Sequence, residues 1–200
     1  ELLRKNIQTH FSIPVYIRND AKCAAICEKK YGSLKDYSNC IFLTIGTGIG
    51  GAAFVDNKLF KSPKMDKFKV GHITIQKDGL KCRCGKKGCF ENYASITALK
   101  RNVTKEFNIE KEITGKELYD FIIKNENNEK MNIIINNYIE SLSVGISNLI
   151  NLFEPDAISI GGSFVYYKYI FLERLKLKLQ QNNLLYKDNI PKILLAKFKN

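Results

Sequence analysis

No apolar run in the 200-residue chain is longer than a handful of residues, so nothing in it is long enough to cross a bilayer as a helix. Residues 1 to 20 lack the basic, apolar and small-residue succession of a secretory signal. There is no internal repeat, no low-complexity linker and no second domain boundary, and 44% hydrophobic content suffices for one ordinary core, so a single domain over 1–200 is expected. Arginine is scarce, confined to Arg4, Arg18, Arg83, Arg101 and Arg174, although the net charge is +12. Arginine is the residue that reads phosphate and guanine bidentately. Lysine here accompanies abundant Asn and Ile, which share its A/T-rich codons, so the charge does not by itself argue for nucleic-acid binding. Six cysteines, three of them in one short motif, do not make a disulfide framework in a chain this long. They point to a reducing, cytoplasmic compartment, with Cys23, Cys27 and Cys40 as plain buried or free thiols.

What is present centres on His72 to Glu91, HITIQKDGLKCRCGKKGCFE. His72, Cys82, Cys84 and Cys89 follow the pattern H-x9-C-x-C-x4-C, a four-ligand set for a tetrahedral structural zinc. Cys82 and Cys84 can reach one ion from a tight knuckle, and Gly85 and Gly88 permit the turns that bring Cys89 round. Reduced surface thiols beside an unrelated histidine would match the same letters. Three cysteines within eight residues, around Gly-Lys-Lys-Gly, favour the metal. Lys77, Lys81, Arg83, Lys86 and Lys87 read either as solvated loop cations or as a nucleic-acid contact.

Taken in order, ELLRKNIQTHF reads as the end of a helix with Leu2, Leu3, Ile7 and Phe11 on one side. Pro14 introduces a short strand, VYI at 15–17, which delivers Asn19 and Asp20 to the start of the helical AKCAAICEKKYG. Asp20 therefore also stands where a helix N-cap would be. Residues 39 to 55 read as two strands broken at Gly46-Thr47-Gly48, a turn that exposes backbone N–H groups and a hydroxyl for phosphate oxygens and is equally a glycine hairpin. A polar loop over 61–69 leads to a strand carrying His72. Ser95 caps a helix, Thr114 and Glu117 form a capping box, and Met131 to Phe153 carry one continuous apolar face. The strand at 156–160 ends in Gly161-Gly162-Ser163, a helix runs from about Tyr167 to Gln181, and KILLA at 192–196 is a last strand. The alternation defines an α/β domain.

These features, in this order, resemble the ROK family, named for repressor, open reading frame and kinase. The most specific of them is G-H-x9-C-x-C-G-x2-G-C-x-E at Gly71 to Glu91. The resemblance implies the actin-like, ribonuclease H-like ATPase fold, with a hexose or N-acetylhexosamine and ATP in a cleft. It implies Asp20 as general base, Asn19 as a sugar contact, and His72 as both zinc ligand and sugar-positioning group. Glu91 would bond sugar hydroxyls, Gly46, Thr47 and Gly48 would hold the ATP phosphates, and Gly161 and Gly162 would pack against the adenosine. Mg2+ would travel with the nucleotide, and a homodimer is expected. A sugar-sensing repressor, with nucleic acid as partner, or an inactive sugar-binding homologue is the alternative. Two departures stand out. The D-x-G-G-T phosphate loop is missing, as is the Ala- and Gly-rich closing helix after KILLA, so the expected unit is the large C-terminal domain. The Gly-Glu pair ahead of Gly-His is replaced by Phe68 and Lys69, with Asp66 nearby as the other candidate acid.

Overall fold

The computed structural model describes residues 2–61, 68–182 and 190–198. Helix α1 (Leu2–Phe11) forms as its periodicity predicts, yet buries none of its residues; Leu2, Leu3 and Phe11 face solvent. The expected strand at 15–17 does not form: the segment belongs to no regular element and pairs with nothing among the described residues, and Tyr16 and Ile17 are exposed. An apolar triplet is a strand only when a neighbouring ladder satisfies its backbone.

Helix α2 (Asp20–Tyr31) leads into strand β1 (Cys40–Ile45), which turns into β2 (Ile49–Val55) and then β3 (Lys58–Leu59). Asp56 and Asn57 both have positive φ in the second turn, the conformation a two-residue hairpin requires. After the zinc-type motif come α3 (Glu91–Ala94), α4 (Ile96–Glu106), α5 (Gly115–Lys124) and α6 (Glu129–Phe153). Strand β4 (Ala157–Gly161), a 3-10 turn over Gly162–Tyr167, α7 (Lys168–Asn182) and β5 (Lys192–Leu195) complete the described order. The sheet runs β3-β2-β1-β4-β5, antiparallel from β3 to β1 and parallel from β1 to β5.

Side-chain alternation along β1 divides the core. Cys40 and Phe42 join Ala25 of α2 and Leu34 on one face, while Ile41, Leu43 and Ile45 join α4 to α7 on the other. The long α6 supplies the second layer: Ile135, Tyr138, Leu142, Ile146 and Leu149 are buried at helical spacing. Asn128 caps it by accepting from Lys130 N and Met131 N, and Glu154 ends it in the left-handed region just before Pro155. Ser95 caps α4 and the Thr114–Glu117 capping box opens α5, both as read from sequence. At the carboxyl ends of β1 and β4 the parallel register sets Thr44 beside Gly161, and this is the edge on which an open α/β sheet presents its ligand site. No helix among the described residues is long and apolar enough to cross a membrane.

Candidate functional site

A cleft of about 810 Å³ opens above that edge. Its lining includes Asn19, Asp20, Gly46, Thr47, Gly48, His72, Glu91 and Gly162, so one cavity gathers nearly every residue singled out as ligand-binding. Gly161, Cys82, Cys84 and Cys89 are not in its wall.

The first wall is the start of α2. Asn19, not Asp20, is the N-cap: its Oδ1 accepts from Lys22 N at 3.2 Å, and its backbone is extended where Asp20 is already helical. The cap role that a sequence reading allows Asp20 falls one residue earlier, which leaves Asp20 to face the cleft. Its Oδ1 accepts from Ala21 N at 2.8 Å and from Asn19 Nδ2 at 3.1 Å, which fixes the carboxylate plane; the residue lines the cavity, and its Oδ2 has no partner among the described residues.

The floor consists of two glycine turns that the sheet brings together. Gly46 N donates to Gly48 O at 3.0 Å to close the β1–β2 turn, and Ile96 N donates to Gly46 O. A Cβ on Gly46 would lie 3.5 Å from Ser163 Oγ, so the turn after β1 adjoins the turn after β4. Gly162 has φ of 72°, and a Cβ there would stand 2.7 Å from Thr44 Oγ1 and 2.8 Å from Ile45 O. Only glycine fits that bend without strain.

The third wall is the motif loop. His72 lies in a 3-10 turn, Val70–His72, rather than in the expected strand; extended pairing in this loop is limited to the single bridges Thr74–Cys89 and Lys81–Lys87. Gly85 and Gly88 both take positive φ, as the knuckle requires. The donor atoms of His72, Cys82, Cys84 and Cys89 lie within 4.8 Å of one another. Cys84 Sγ is 3.5 Å from Cys89 Sγ, and Cys82 Sγ is 3.6 Å from His72 Nδ1. Bonds of about 2.3 Å to sulfur and 2.0 Å to nitrogen in a tetrahedron put ligand atoms roughly 3.5–3.8 Å apart, so the set fits one thiophilic ion. Without an ion, burial pushes the Cys89 thiol up to about 12, while a backbone hydrogen bond from Lys86 draws the Cys84 thiol down. A cation among the sulfurs would make all three thiolates.

Glu91 joins this centre to the cleft. Its Oε1 is 3.5 Å from His72 Nδ1 and 3.8 Å from Cys82 Sγ, and its Oε2 lies 3.0 Å from where a Gly48 Cβ would be. Phe90, fully buried against Gly145 of α6, anchors the same loop in the core.

Sequence reading missed Thr44, Ser163, Lys168, Tyr166, Tyr169 and Phe198 of the lining. Ser163 follows the Gly-Gly pair and could have been added on that ground. Phe198 carries no local signal, because only tertiary folding brings it to the cleft.

Two glycine turns at the strand ends and a carboxylate on a helix start line one cleft of an α/β domain, and a Cys3His cluster adjoins it. The chain belongs to the ROK family, which it matches over residues 2–200. It is 32% identical to the xylose repressor of Caldicellulosiruptor bescii, over 98% of this chain and 52% of the repressor. It is likewise 32% identical to the glucokinase of Streptomyces coelicolor, over 81% of this chain and 55% of that enzyme. The chain thus spans about half the length of these curated relatives. The ROK family glucokinase of Streptomyces griseus, solved with glucose and AMPPNP, superimposes with a TM-score of 0.83 at 24% identity, over 98% of this chain and 68% of that one, and shares the fold.

Proposed function

We propose that this chain is the large domain of an ATP-dependent sugar kinase with an actin-like fold, acting on a hydroxyl of a hexose or N-acetylhexosamine type of ligand. The observation that carries the reading is the convergence of Asp20, the Gly46–Gly48 turn and Glu91 on one cleft. A sugar hydroxyl is a poor nucleophile; Asp20, held through Oδ1 by Ala21 N and Asn19 Nδ2, accepts its proton as the oxygen attacks the terminal phosphate of ATP and ADP leaves. Asn19, His72 and Glu91 orient the sugar, and the backbone of Gly46, Thr47 and Gly48 binds phosphate oxygens. Gly161 and Gly162, with Ser163, support the nucleoside end. Mg2+ is carried mainly by the nucleotide. His72, Cys82, Cys84 and Cys89 would hold a zinc ion, which with four protein ligands would supply structure rather than Lewis acidity and would fix the His72 ring and the loop that carries Glu91. The protein works in the cytoplasm as a homodimer. ADP release by the full-length protein over a panel of sugars tests this; a folded, zinc-loaded protein with no sugar-dependent turnover would sink it.

A second reading rests on the xylose repressors, of which that of Caldicellulosiruptor bescii matches 98% of this chain at the same 32% identity as the glucokinase. In it the cleft senses a sugar and nucleic acid is the partner of the full-length protein. Sugar-dependent release of the full-length protein from operator DNA, without ADP formation, would favour this alternative.

A further inference from the structure

The residues that follow Glu91, Asn92 and Tyr93, reach back to the knuckle. Asn92 Nδ2 donates to Lys81 O at 3.1 Å, and Tyr93 OH accepts from Leu80 N at 2.6 Å. Leu80 and Lys81 stand directly ahead of Cys82, so side chains of α3 hold the arm that delivers the first sulfur of the metal set. Gly79 continues this contact, since a Cβ there would collide with the Tyr93 hydroxyl. Both Leu80 and Lys81 are exposed, so apolar burial does little to seat the arm and its hydrogen bonds decide its place. The clamp is anchored in turn: Arg101 Nη2 on α4 donates to Asn92 O at 2.7 Å, and Ile96 N at the start of α4 donates to Gly46 O at 2.9 Å.

Cys82 needs such a clamp because of its neighbour. Its Sγ is 3.8 Å from Glu91 Oε1, and a thiolate and a carboxylate that close repel each other. An ion on the sulfurs would offset part of that repulsion, but the backbone on either side still has to hold the two groups together. The bridges Thr74–Cys89 and Lys81–Lys87 tie one limb of the loop to the other. The bonds from Asn92 and Tyr93 instead tie the loop to the helix that begins with Glu91.

We propose that Asn92 and Tyr93 are positioning residues shared by the metal set and the cleft, whose hydrogen bonds to the Cys82 arm set both the affinity for zinc and the placing of Glu91 for the sugar. The inference rests on the zinc and sugar-cleft readings above. Groups behind a metal ligand commonly contribute about 10–100-fold to metal affinity. A misplaced Glu91 weakens the sugar alike in the ground and transition states, so its loss falls on KM rather than on kcat.

Competition for zinc against a chromophoric chelator, and turnover with D-glucose and N-acetyl-D-glucosamine, test this on the full-length protein and its Tyr93→Phe, Asn92→Ala and Asn92→Asp variants. Tyr93→Phe removes one oxygen, and Asn92→Asp keeps the side-chain shape while losing the donor, so without zinc these variants should melt with the zinc-free wild type. Each variant should bind zinc at least about tenfold more weakly, and should raise the KM of the accepted sugar several-fold with kcat little changed. Wild-type zinc affinity in Asn92→Asp or Tyr93→Phe, or weakened zinc with an unchanged KM, would overturn the inference. Variants that lose only melting temperature would show a merely structural bond and overturn it equally. Zinc affinity is read without any sugar, so the two readings fail separately. A zinc-loaded wild type that turns over neither sugar would overturn the kinase function, and the zinc competition would then decide the role of Asn92 and Tyr93. A folded wild type that takes up no zinc would overturn the inference together with the metal set.

Discussion

At the level of single residues the proposed kinase reading separates orientation from chemistry. Asn19 caps α2 and donates to Asp20, so the amide fixes the plane of the carboxylate and the carboxylate is left to act. Asp20→Asn keeps the size and one acceptor but cannot take a proton. Sugar-dependent turnover should fall by about 10²–10⁴-fold, the usual worth of a general base, with a much smaller change in sugar affinity. Turnover within tenfold of wild type would remove Asp20 from the base role. Gly162→Ala probes the other end of the cleft. The residue has φ of 72°, where a side chain costs about 1–2 kcal/mol, and its Cβ would also press on Thr44 Oγ1 and Ile45 O. Denaturant unfolding should show at least that loss, together with weaker binding of a nucleotide analogue. An unchanged midpoint would mean that the bend after β4 is not under constraint.

Among the elements, the motif loop and α6 draw their stability from different sources. The loop at 72–91 is held by turn hydrogen bonds such as Ile75 N to Gly88 O and Cys82 N to Lys86 O and by two isolated bridges rather than by a helix or ladder, with Phe90 as its buried anchor, and the proposed ion would cross-link it further. Helix α6 rests on a buried apolar face whose Leu142 is wholly enclosed. Hydrogen exchange should therefore respond in opposite places. Cys84→Ser or chelation should speed exchange between residues 72 and 89 and leave α6 protected, while Leu142→Ala should cost about 2–5 kcal/mol and weaken α6 first. Equal loss of protection in both elements after chelation would show that zinc holds the whole domain. Elements of this second kind were legible in the sequence, because their caps and periodicity are local: Ser95, Thr114 with Glu117, and Met131 to Phe153 all stand as read. The strand at 15–17 and the strand expected at His72 were not legible, since a ladder depends on a partner that no local pattern reveals. The zinc-type cluster was readable because its ligands are close in sequence. Lys168 and Phe198 reach the cleft only through long-range packing, and Asp66, the alternative acid beside Lys69, lies outside the described residues.

For the whole molecule, the longest-range side-chain hydrogen bond among the described residues is made by Glu28, a buried carboxylate on α2. Its Oε2 accepts from Ser33 N at 2.8 Å and Ser33 Oγ at 2.7 Å, its Oε1 accepts from Phe198 N at 2.8 Å, and Ser33 Oγ is in turn 2.7 Å from Ser159 Oγ on β4. One side chain thus ties the helix that starts with Asp20, the central sheet, and the segment after β5 whose Phe198 lines the cleft. Burial by itself would raise the Glu28 carboxyl, but the hydrogen bonds from Phe198, Ser33 and Lys197 outweigh it and hold the group below its ordinary value of 4.5. Its folded value is depressed, so the contribution to stability is full above that ordinary value and is lost as pH falls through the lower, folded one. Glu28→Gln should accordingly destabilise the protein by about 1–3 kcal/mol at pH 7, since it sets an amide donor among groups that also donate. The gap between variant and wild type should narrow as the pH is taken below the ordinary carboxylate value. Acid also protonates the motif thiolates and releases any bound zinc, but it does so in both proteins, so the difference between their urea midpoints isolates Glu28. A gap that stays constant from pH 7 into the acid range would mean that the carboxylate is not ionised in the fold and that these donors are satisfied in another way.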